Sequence, residues 1–205
     1  MHLLHPLSGQ VAVDEAYDLS NRRRRADRPW IVMSMIATAD GAVAIEGASH
    51  LLGGPADRDI FLHLHRTADT VFVGAETVRA DSYSPLPPHQ TLVVMSSSGD
   101  LGRHHDALVA AGNTRIVAGD VRDVVTTFSG EVCALEGGPS LNGQMLGADL
   151  VDEVWLTVAP RFVAGRSDRL AEGAWAMREP WHLAHVAHEG GFVFLRYLRD
   201  AETSE

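Results

Sequence analysis

The sequence contains no lysine, and its 17 basic residues are all arginines. Without lysine the chain cannot form a Schiff base through a side-chain amine, use a lysine general base or build the lysine-dependent phosphate site of a P-loop. It also has a single cysteine, Cys133. One cysteine cannot form a disulfide within the chain, and such sparse use of cysteine is typical of a reducing compartment. We therefore expect a cytoplasmic protein.

Long apolar runs and a basic surface are also missing. No run approaches the roughly 20 apolar residues that cross a bilayer. The first residues have neither a basic start nor a long apolar stretch, so we expect no secretory signal and no membrane partner. Acidic residues number 27 against 17 basic ones, a net charge of −10, which disfavours nucleic acid as a partner. The basic run from Arg22 to Arg25 is interpreted as a solvated arm.

Short apolar runs alternate with amphipathic stretches from Trp30 onward. Several of these runs are rich in valine and isoleucine on consecutive positions, which predicts strands covered on both faces. The predicted strands are 30–36, 70–75, 91–95, 114–119, 132–138, 153–162, 182–189 and 192–199. Helical spacing of apolar residues predicts helices at 55–66, 120–128 and 139–148. Residues 1–28 are expected to form an N-terminal segment with at most one short helix.

The order of these elements predicts an α/β fold for residues 29–205, with a mostly parallel central sheet of about eight strands and helices on both faces. Only Gly190 and Gly191 separate the last two strands, which is a hairpin signal. We therefore expect the parallel sheet to end in an antiparallel C-terminal hairpin, within one domain.

The stretch LEGGPSL (135–141) is the most informative part of the sequence. A predicted strand runs into Gly137 and Gly138, and a helix follows from Pro139. Paired glycines let the backbone approach a ligand, and a helix N-terminus offers N–H groups to a phosphate, although a tight turn also needs glycine. Glu136 lies at the carboxyl end of its strand, where ligands bind to open α/β sheets. Burying an acid there without a partner is costly, which favours a ligand contact.

Other strand ends carry polar residues that could contact a ligand. These are Asp40, Thr77, Asp81 and Ser96 to Ser98. Hydroxyl groups at such positions hold a phosphate or cap a turn, and Asp40 is either a turn residue or a functional one. The sequence has neither the Rossmann G-x-G-x-x-G pattern nor a Walker motif. A dinucleotide would therefore have to bind by another design.

Eleven histidines raise the question of a metal site, above all His182, His185 and His188. On a predicted strand, steps of three residues point successive side chains to opposite faces of the sheet. The three rings cannot converge on one ion, and we expect no metal site.

Three motifs, taken in order, resemble the reductase domain of bacterial riboflavin biosynthesis, a family with the dihydrofolate reductase fold. TADG (38–41) resembles the family's Ser-Leu-Asp-Gly, and GAETVRADSYSPL (74–86) resembles its glycine, Thr-Val and Asp-x-Pro-x-Leu. EGGPSLNGQMLGADLVDEVWLTVAP (136–160) resembles its Glu-Gly-Gly, helix, Val-Asp-Glu and strand ending in Ala-Pro. The match covers residues 29–199. It implies a dihydrofolate reductase-like fold, NADPH as the cofactor and a homodimer.

The resemblance also implies an activity, since the family uses NADPH to reduce 5-amino-6-(5-phosphoribosylamino)uracil. The implied cofactor contacts are Ile36, Thr77, Asp81, Ser96, Gly137, Gly138, Pro139, Ser140 and Leu141. The implied substrate contacts are Ser49, His65, Arg66, Leu86 and Glu136. Because a proton must accompany the hydride, Glu136 and Asp81 are the candidate catalytic acids.

The sequence departs from the family where a substrate phosphate is expected. His65 takes the place of an arginine, with Arg66 displaced by one residue, and the arginine after Asp-x-Pro-x-Leu is missing. Ser34 replaces a lysine, and Leu51 replaces a tryptophan. Arginine is the natural partner of a phosphate, so a related heterocycle is a possible substrate beside the ribosylamino-pyrimidine. A pterin- or deazaflavin-linked reductase of this fold and a nucleotide-binding protein without turnover are the alternatives.

Overall fold

The computed structural model describes residues 1–6, 8–81, 83–173 and 180–199. Within them, ten strands form one sheet. The strands are β1 (His2–His5), β2 (Gly9–Gln10), β3 (Trp30–Thr38), β4 (Thr70–Gly74), β5 (Thr91–Met95), β6 (Thr114–Val117), β7 (Val132–Leu135), β8 (Glu153–Ala159), β9 (His182–Glu189) and β10 (Phe192–Leu198). The α-helices are α1 (Val13–Ala16), α2 (Pro55–Thr67), α3 (Ala75–Ala80), α4 (His105–Ala110), α5 (Val121–Thr126) and α6 (Pro139–Gly147). No helix in these ranges is long and apolar enough to cross a membrane.

The sheet has the strand order β2-β1-β9-β10-β8-β3-β7-β4-β5-β6. From β8 to β6 in this order, each strand runs parallel to its neighbours within that group. β10 is antiparallel to both β8 and β9, and Gly190 and Gly191 form the turn between β9 and β10. The structure confirms the predicted α/β fold, with its mostly parallel sheet and antiparallel C-terminal hairpin.

Helices cover both faces of the sheet because successive residues of a strand point in opposite directions. On one face, Val32 of β3 and Val71 of β4 pack in a core with Leu64 of α2. On the other face, Ile31 of β3 and Phe72 of β4 pack in a second core with residues of α5 and α6. Alternate residues of each strand thus contribute to two separate cores. The helices on both faces are as predicted.

Residues 1–28 differ from the expectation of at most one short helix. β1 pairs antiparallel with β9, with Leu3 opposite Ala187, and β2 pairs with β1. The sheet therefore has ten strands where the sequence predicts about eight. β1 and β2 are four and two residues long, too short to display a reliable alternating pattern. The division of the chain at residue 28 stays a prediction.

The basic run also differs from its interpretation as a solvated arm. Arg22 Nε donates to Glu153 Oε2 at 3.0 Å, and 12% of the Arg22 side chain is exposed. Arg25 Nε donates to Asp152 Oδ1 at 2.9 Å, and the guanidinium carbon lies 4.5 Å from the centre of the Trp30 ring. The interpretation is wrong for these two arginines, since they fasten the N-terminal segment to the first residues of β3 and β8.

Candidate active site

The parallel strands end along one edge of the sheet, which we call the carboxyl-end edge. At its centre the chain leaves β7 after Leu135, and the Glu136 N–H donates to the Phe72 carbonyl of β4 at 2.9 Å. The Gly74 N–H donates to the Gly137 carbonyl at 2.6 Å. These two bonds fasten the turn after β7 to the end of β4.

The Glu136 carboxylate is the centre of a cluster that we call the Glu136 cluster, with His65 and Tyr83. Oε1 forms a hydrogen bond with His65 Nε2, and Oε2 accepts one from the Tyr83 hydroxyl. Glu136 is 8% exposed. His65 lies on α2, and Tyr83 lies in the segment between α3 and β5. Two distant parts of the chain thus supply the hydrogen bonds that offset the free-energy cost of burying this carboxylate.

The Glu136 cluster changes the pKa of both partners. Burial by itself lowers the pKa of His65, but the hydrogen bond and the charge of Glu136 outweigh it and raise the pKa above 6.5. Burial raises the pKa of Tyr83, and the charge of Glu136 raises it further, well above 10.0. Tyr83 therefore keeps its proton, and His65 stays protonated to a higher pH than a solvated histidine. Both side chains can hold a proton against the same carboxylate.

Asp81 forms a second polar group at the end of α3. Its N–H donates to the Thr77 carbonyl at 2.9 Å. Its carboxylate accepts a hydrogen bond from Ser49 Oγ at 3.2 Å and lies 3.1 Å from His50 Nδ1. The charge of Asp81 also contributes to the raised pKa of Tyr83, so this group lies near the Glu136 cluster. The structure therefore brings Ser49 to Asp81, as it brings His65 to Glu136.

The turn between β7 and α6 fits a dinucleotide phosphate. Gly138 precedes α6 without a side-chain cap, and Pro139 opens the helix, so backbone N–H groups are left for a ligand. A Cβ at Gly138 would lie 3.0 Å from Thr77 Oγ1. Gly137 has a φ of +76° and is joined to Gly138 by a cis peptide bond, and this φ favours glycine. Backbone without a side chain thus lies beside the Thr77 hydroxyl, an arrangement that can bind a phosphate.

The other predicted cofactor residues differ in the groups that could contact a ligand. Ser96 follows β5, is 8% exposed and accepts a hydrogen bond at its Oγ from the Gly99 N–H at 3.0 Å. Ser140 is exposed in the first turn of α6. The Leu141 side chain packs into the core, so only its backbone could face a ligand. Ile36 is half-buried in β3.

The two remaining predicted substrate residues, Arg66 and Leu86, have different surroundings. Arg66 is exposed, and because one residue turns a helix by about 100°, it does not share the face that His65 presents to Glu136. Leu86 packs partly buried against the core, and its carbonyl accepts a hydrogen bond from Asn113 Nδ2 at 3.0 Å. A substrate role for either residue stays a prediction.

Sequence reasoning assigned no role to Tyr83 or to Asp57. Tyr83 lies among serines and prolines, where no periodicity marks a buried side chain. Burial raises the pKa of Asp57 above its ordinary value, although the Thr157 side chain of β8 lowers it in part. Both residues acquire their partners only when distant segments meet.

The histidines on β9 do not gather around a common point. His185 is buried, with its ring 4.8 Å from that of Tyr17, whereas His182 and His188 are exposed. Among the residues that the structure describes, no three histidine, cysteine or acidic side chains are grouped to hold a metal ion.

Comparison with proteins of known structure identifies the fold. A pyrimidine reductase-like protein from Corynebacterium diphtheriae superposes with a TM-score of 0.68 at 21% identity, over 84% of this chain and 92% of that one. Dihydrofolate reductase from Enterococcus faecalis, complexed with NADP(H), gives a TM-score of 0.60 at 17% identity, over 83% and 96%. These similarities confirm the dihydrofolate reductase-like fold.

Sequence comparison identifies the family. The 2,5-diamino-6-ribosylamino-4(3H)-pyrimidinone 5′-phosphate reductase of Methanothermobacter thermautotrophicus is 29% identical over 69% of this chain and 82% of that protein. The chain spans 45% of the length of the riboflavin biosynthesis protein RibD from Mycobacterium tuberculosis, at 28% identity. The family described as the RibD C-terminal domain matches residues 29–188. This match and the reductase relative support an oxidoreductase of the riboflavin pathway type, and the chain belongs to the RibD C-terminal domain family.

Proposed function

We propose that the chain is an NADPH-dependent reductase that delivers hydride to a ribosylamino-pyrimidine or a related heterocycle. The observation that carries the proposal is the buried Glu136 carboxylate, held by His65 and Tyr83 immediately before the glycines that lead into α6. A hydride-transfer site needs a group that holds a proton close to where the dinucleotide binds. The name of the Methanothermobacter relative supports the class of substrate.

NADPH supplies the hydride when it is bound. The Thr77 hydroxyl and the backbone N–H groups at the start of α6 would hold its phosphates, because Gly138 leaves the space between them open. Ser96 would lie on the adenosine side, after β5. The similar fold of a dihydrofolate reductase that binds NADP(H) supports this choice of dinucleotide.

The residues of the Glu136 cluster would supply the accompanying proton. When hydride adds to the carbon of a C=N or C=O bond, the heteroatom must gain a proton. His65 Nε2 holds a proton against Glu136, so the carboxylate would take up this proton and pass it to the substrate. The Tyr83 hydroxyl keeps its own proton and would hold the carboxylate in place. Asp81 is the second candidate acid, and with Ser49 it would orient the substrate.

Hydride transfer tests this function directly. Purified protein is mixed with NADPH or NADH and with a ribosylamino-pyrimidine, its 5′-phosphate or a dihydropterin, and loss of the reduced nicotinamide absorbance is followed. We expect turnover of at least one pyrimidine with NADPH, and slower turnover with NADH. Tight NADPH binding without oxidation by any of these compounds would instead indicate a nucleotide-binding protein.

Homodimer formation and a cytoplasmic location, which the resemblance and the cysteine content imply, remain proposals. Sedimentation equilibrium over a range of protein concentrations measures the oligomeric state. A mass of one chain at all concentrations would remove the dimer from the proposal.

A further inference from the structure

The last turn of α2, which carries His65, ends against the residue that precedes β5. The last carbonyl groups of a helix have no hydrogen-bond partner within the helix. Gln90 Nε2 donates a hydrogen bond to the His65 carbonyl and, at 2.6 Å, another to the Ala68 carbonyl. Gln90 is 2% exposed. One buried amide thus binds the end of α2 to the beginning of β5.

Gln90 also belongs to a tight turn formed by residues 86–90. The Gln90 N–H donates to the Pro87 carbonyl at 3.0 Å. Asn113, which directly precedes β6, donates from Nδ2 to the carbonyls of Leu86, Pro87 and Gln90, each at 3.0 Å. Gln90 is therefore held on one side by α2 and on the other by Asn113, and its own position in the fold is well defined.

The contacts of Gln90 connect the two partners of Glu136. The residue whose carbonyl Gln90 holds is the same residue whose ring forms the hydrogen bond with Glu136 Oε1, namely His65. Tyr83, whose hydroxyl donates to Glu136 Oε2, lies three residues before the turn that ends at Gln90. Gln90 thus joins the helix that carries His65 to the segment that carries Tyr83.

The position of His65 near a helix end explains why such a contact matters. The end residues of a helix fray readily, and His65 lies in the last turn of α2. Displacement of a reacting group by about 1 Å can lower a rate by about 100-fold. Hydrogen bonds from a buried amide to the backbone of this turn restrict such displacement.

We infer that Gln90 is a positioning residue for the proposed reaction, because it fixes the last turn of α2 so that the His65 ring meets the Glu136 carboxylate. The inference rests on the proposed function and adds to it a residue that acts through His65. Asn113 supports the same arrangement by holding the turn that contains Gln90.

The pKa of His65 reports on this arrangement. The hydrogen bond and the charge of Glu136 raise this pKa, whereas burial lowers it. On the other side of the carboxylate lies Tyr83, on which the charge of Asp81 also acts. If the His65 ring moves away from Glu136, the two contributions that raise its pKa weaken. The imidazole should then lose its proton at a lower pH.

Gln90→Met tests the inference, because methionine has a similar length and no N–H group to donate. NMR titration of the His65 ring measures its pKa without turnover, and the dependence of kcat on pH measures the same group during turnover. We expect His65 to titrate at lower pH than in the wild type and kcat to fall by about tenfold or more, with an unchanged dissociation constant for NADPH. An unchanged pKa of His65 in the folded variant would overturn the inference.

Thr67→Val is the matched control at the same helix end. Thr67 Oγ1 donates to the carbonyls of His63 and Leu64 at 2.9 and 3.1 Å, and valine has the same shape without the hydroxyl. This variant should lose some stability and keep the wild-type pKa of His65 and pH profile of kcat. If it lowers the pKa as far as Gln90→Met does, general loosening of the helix end is the cause and the inference fails.

Asn113→Ala provides the test if Gln90→Met does not fold. It removes the hydrogen bonds to the turn at residues 86–90 and leaves the Gln90 side chain in place. The pKa of His65 should then fall in the same direction by a smaller amount. A wild-type pKa in this variant would remove the proposed role of the turn and of Gln90 within it.

The positioning role and the reductase function fail in different ways. A lowered pKa of His65 in Gln90→Met, in a protein that transfers no hydride, would keep the role of Gln90 in placing His65 and remove the reductase function. Hydride transfer by Gln90→Met with the wild-type kcat and pH profile would keep the reductase function and remove this inference.

Discussion

The two edges of the parallel sheet hold their acidic residues with different partners. At the edge where the strands begin, the amino-end edge, Asp152 and Glu153 precede and open β8. Asp152 accepts hydrogen bonds from Arg28 Nη2 at 3.0 Å and from the Ile31 N–H at 2.8 Å. Glu153 is fully buried and accepts from Arg22 at 3.0 Å and from Arg196 at 2.5 Å.

At the carboxyl-end edge, none of the described arginines takes this role in the Glu136 cluster or at Asp81. Glu136 is held by a histidine and a tyrosine, and Asp81 by a serine and a histidine. Hydroxyl and imidazole groups can gain, lose or redirect their protons when a ligand binds, whereas a guanidinium remains charged.

The pKa of Glu153 illustrates the difference. Burial by itself raises this pKa, but the charge and hydrogen bond of Arg196 outweigh burial and lower it. The acid is therefore locked in its charged form and serves the fold. Acids at the carboxyl-end edge have partners that can exchange protons, which is what chemistry requires. Under the proposed function, the partner of a buried acid thus separates a structural role from a catalytic one.

Glu153→Gln should produce the largest effect, because it leaves Arg196 buried without a full counter-charge. We expect the free energy of unfolding to fall by about 3–5 kcal/mol, measured by urea denaturation. Asp120→Asn is the matched control, since Asp120 forms an exposed pair with Arg122 and asparagine also caps a helix; its cost should stay below about 1 kcal/mol. An equal loss of unfolding free energy in the two variants would mean that the arginine partners of Glu153 do not give it a special structural role.

Glu136→Gln should leave the fold and NADPH binding intact and lower kcat by about 100-fold or more, as expected for loss of a general acid. Steady-state kinetics and fluorescence titration of NADPH measure the two properties. Tyr83→Phe should have a smaller effect in the same direction, because His65 still donates to the carboxylate. Wild-type activity in Glu136→Gln would move the proton source to Asp81.

Gly138→Ala should weaken NADPH binding by about tenfold. The backbone of Gly138, with a φ of −77°, suits alanine, but the added methyl would lie 3.0 Å from Thr77 Oγ1 and cover the backbone at this turn. Gly9→Ala, where nothing lies within 4 Å of the new methyl, should bind NADPH like the wild type. An unchanged dissociation constant for Gly138→Ala would exclude this turn from the dinucleotide site.

The smallest expected effect is on the pH dependence of stability. It involves two histidines, His65 in the Glu136 cluster and His185, which is influenced by the charges of Arg196 and Glu153. Because the folded pKa of His65 is raised above 6.5, its stabilisation is present below pH 6.5 and is lost as the pH rises through the raised value. Burial, followed by the charge of Arg196, lowers the pKa of His185 to about 4. The unfolded chain then binds the extra proton between about pH 6.5 and 4, so stability falls as the pH falls through that window.

Measurement of the free energy of unfolding across pH in two variants separates the contributions of His65 and His185. His65→Gln should flatten the decline above pH 6.5, and His185→Gln should flatten the decline below it. The same slopes in wild type and variant would mean that the histidine in question does not contribute.

Local patterns were sufficient for most of the central fold. The predicted strand at 30–36 is β3, Trp30–Thr38, and the predicted helix at 55–66 is α2, Pro55–Thr67. The hairpin at Gly190 and Gly191 and the turn at Glu136 also follow from residues within a few positions of one another. Consecutive apolar residues, helical spacing and glycine turns are properties of neighbouring residues, so the sequence displays them directly.

Tertiary structure decided which side chains meet. Tyr83 lies 53 residues from Glu136, His65 lies 71 residues from it, and Arg22 lies 131 residues from Glu153. No local pattern encodes such pairs, because they depend on how the sheet orders its strands. The rotation of α2 likewise turns His65 toward Glu136 and leaves Arg66 exposed. The sequence by itself thus determined most elements of the central sheet and the turn that carries Glu136, whereas the path of the folded chain selected the partners that distinguish the proposed catalytic acid from a structural one.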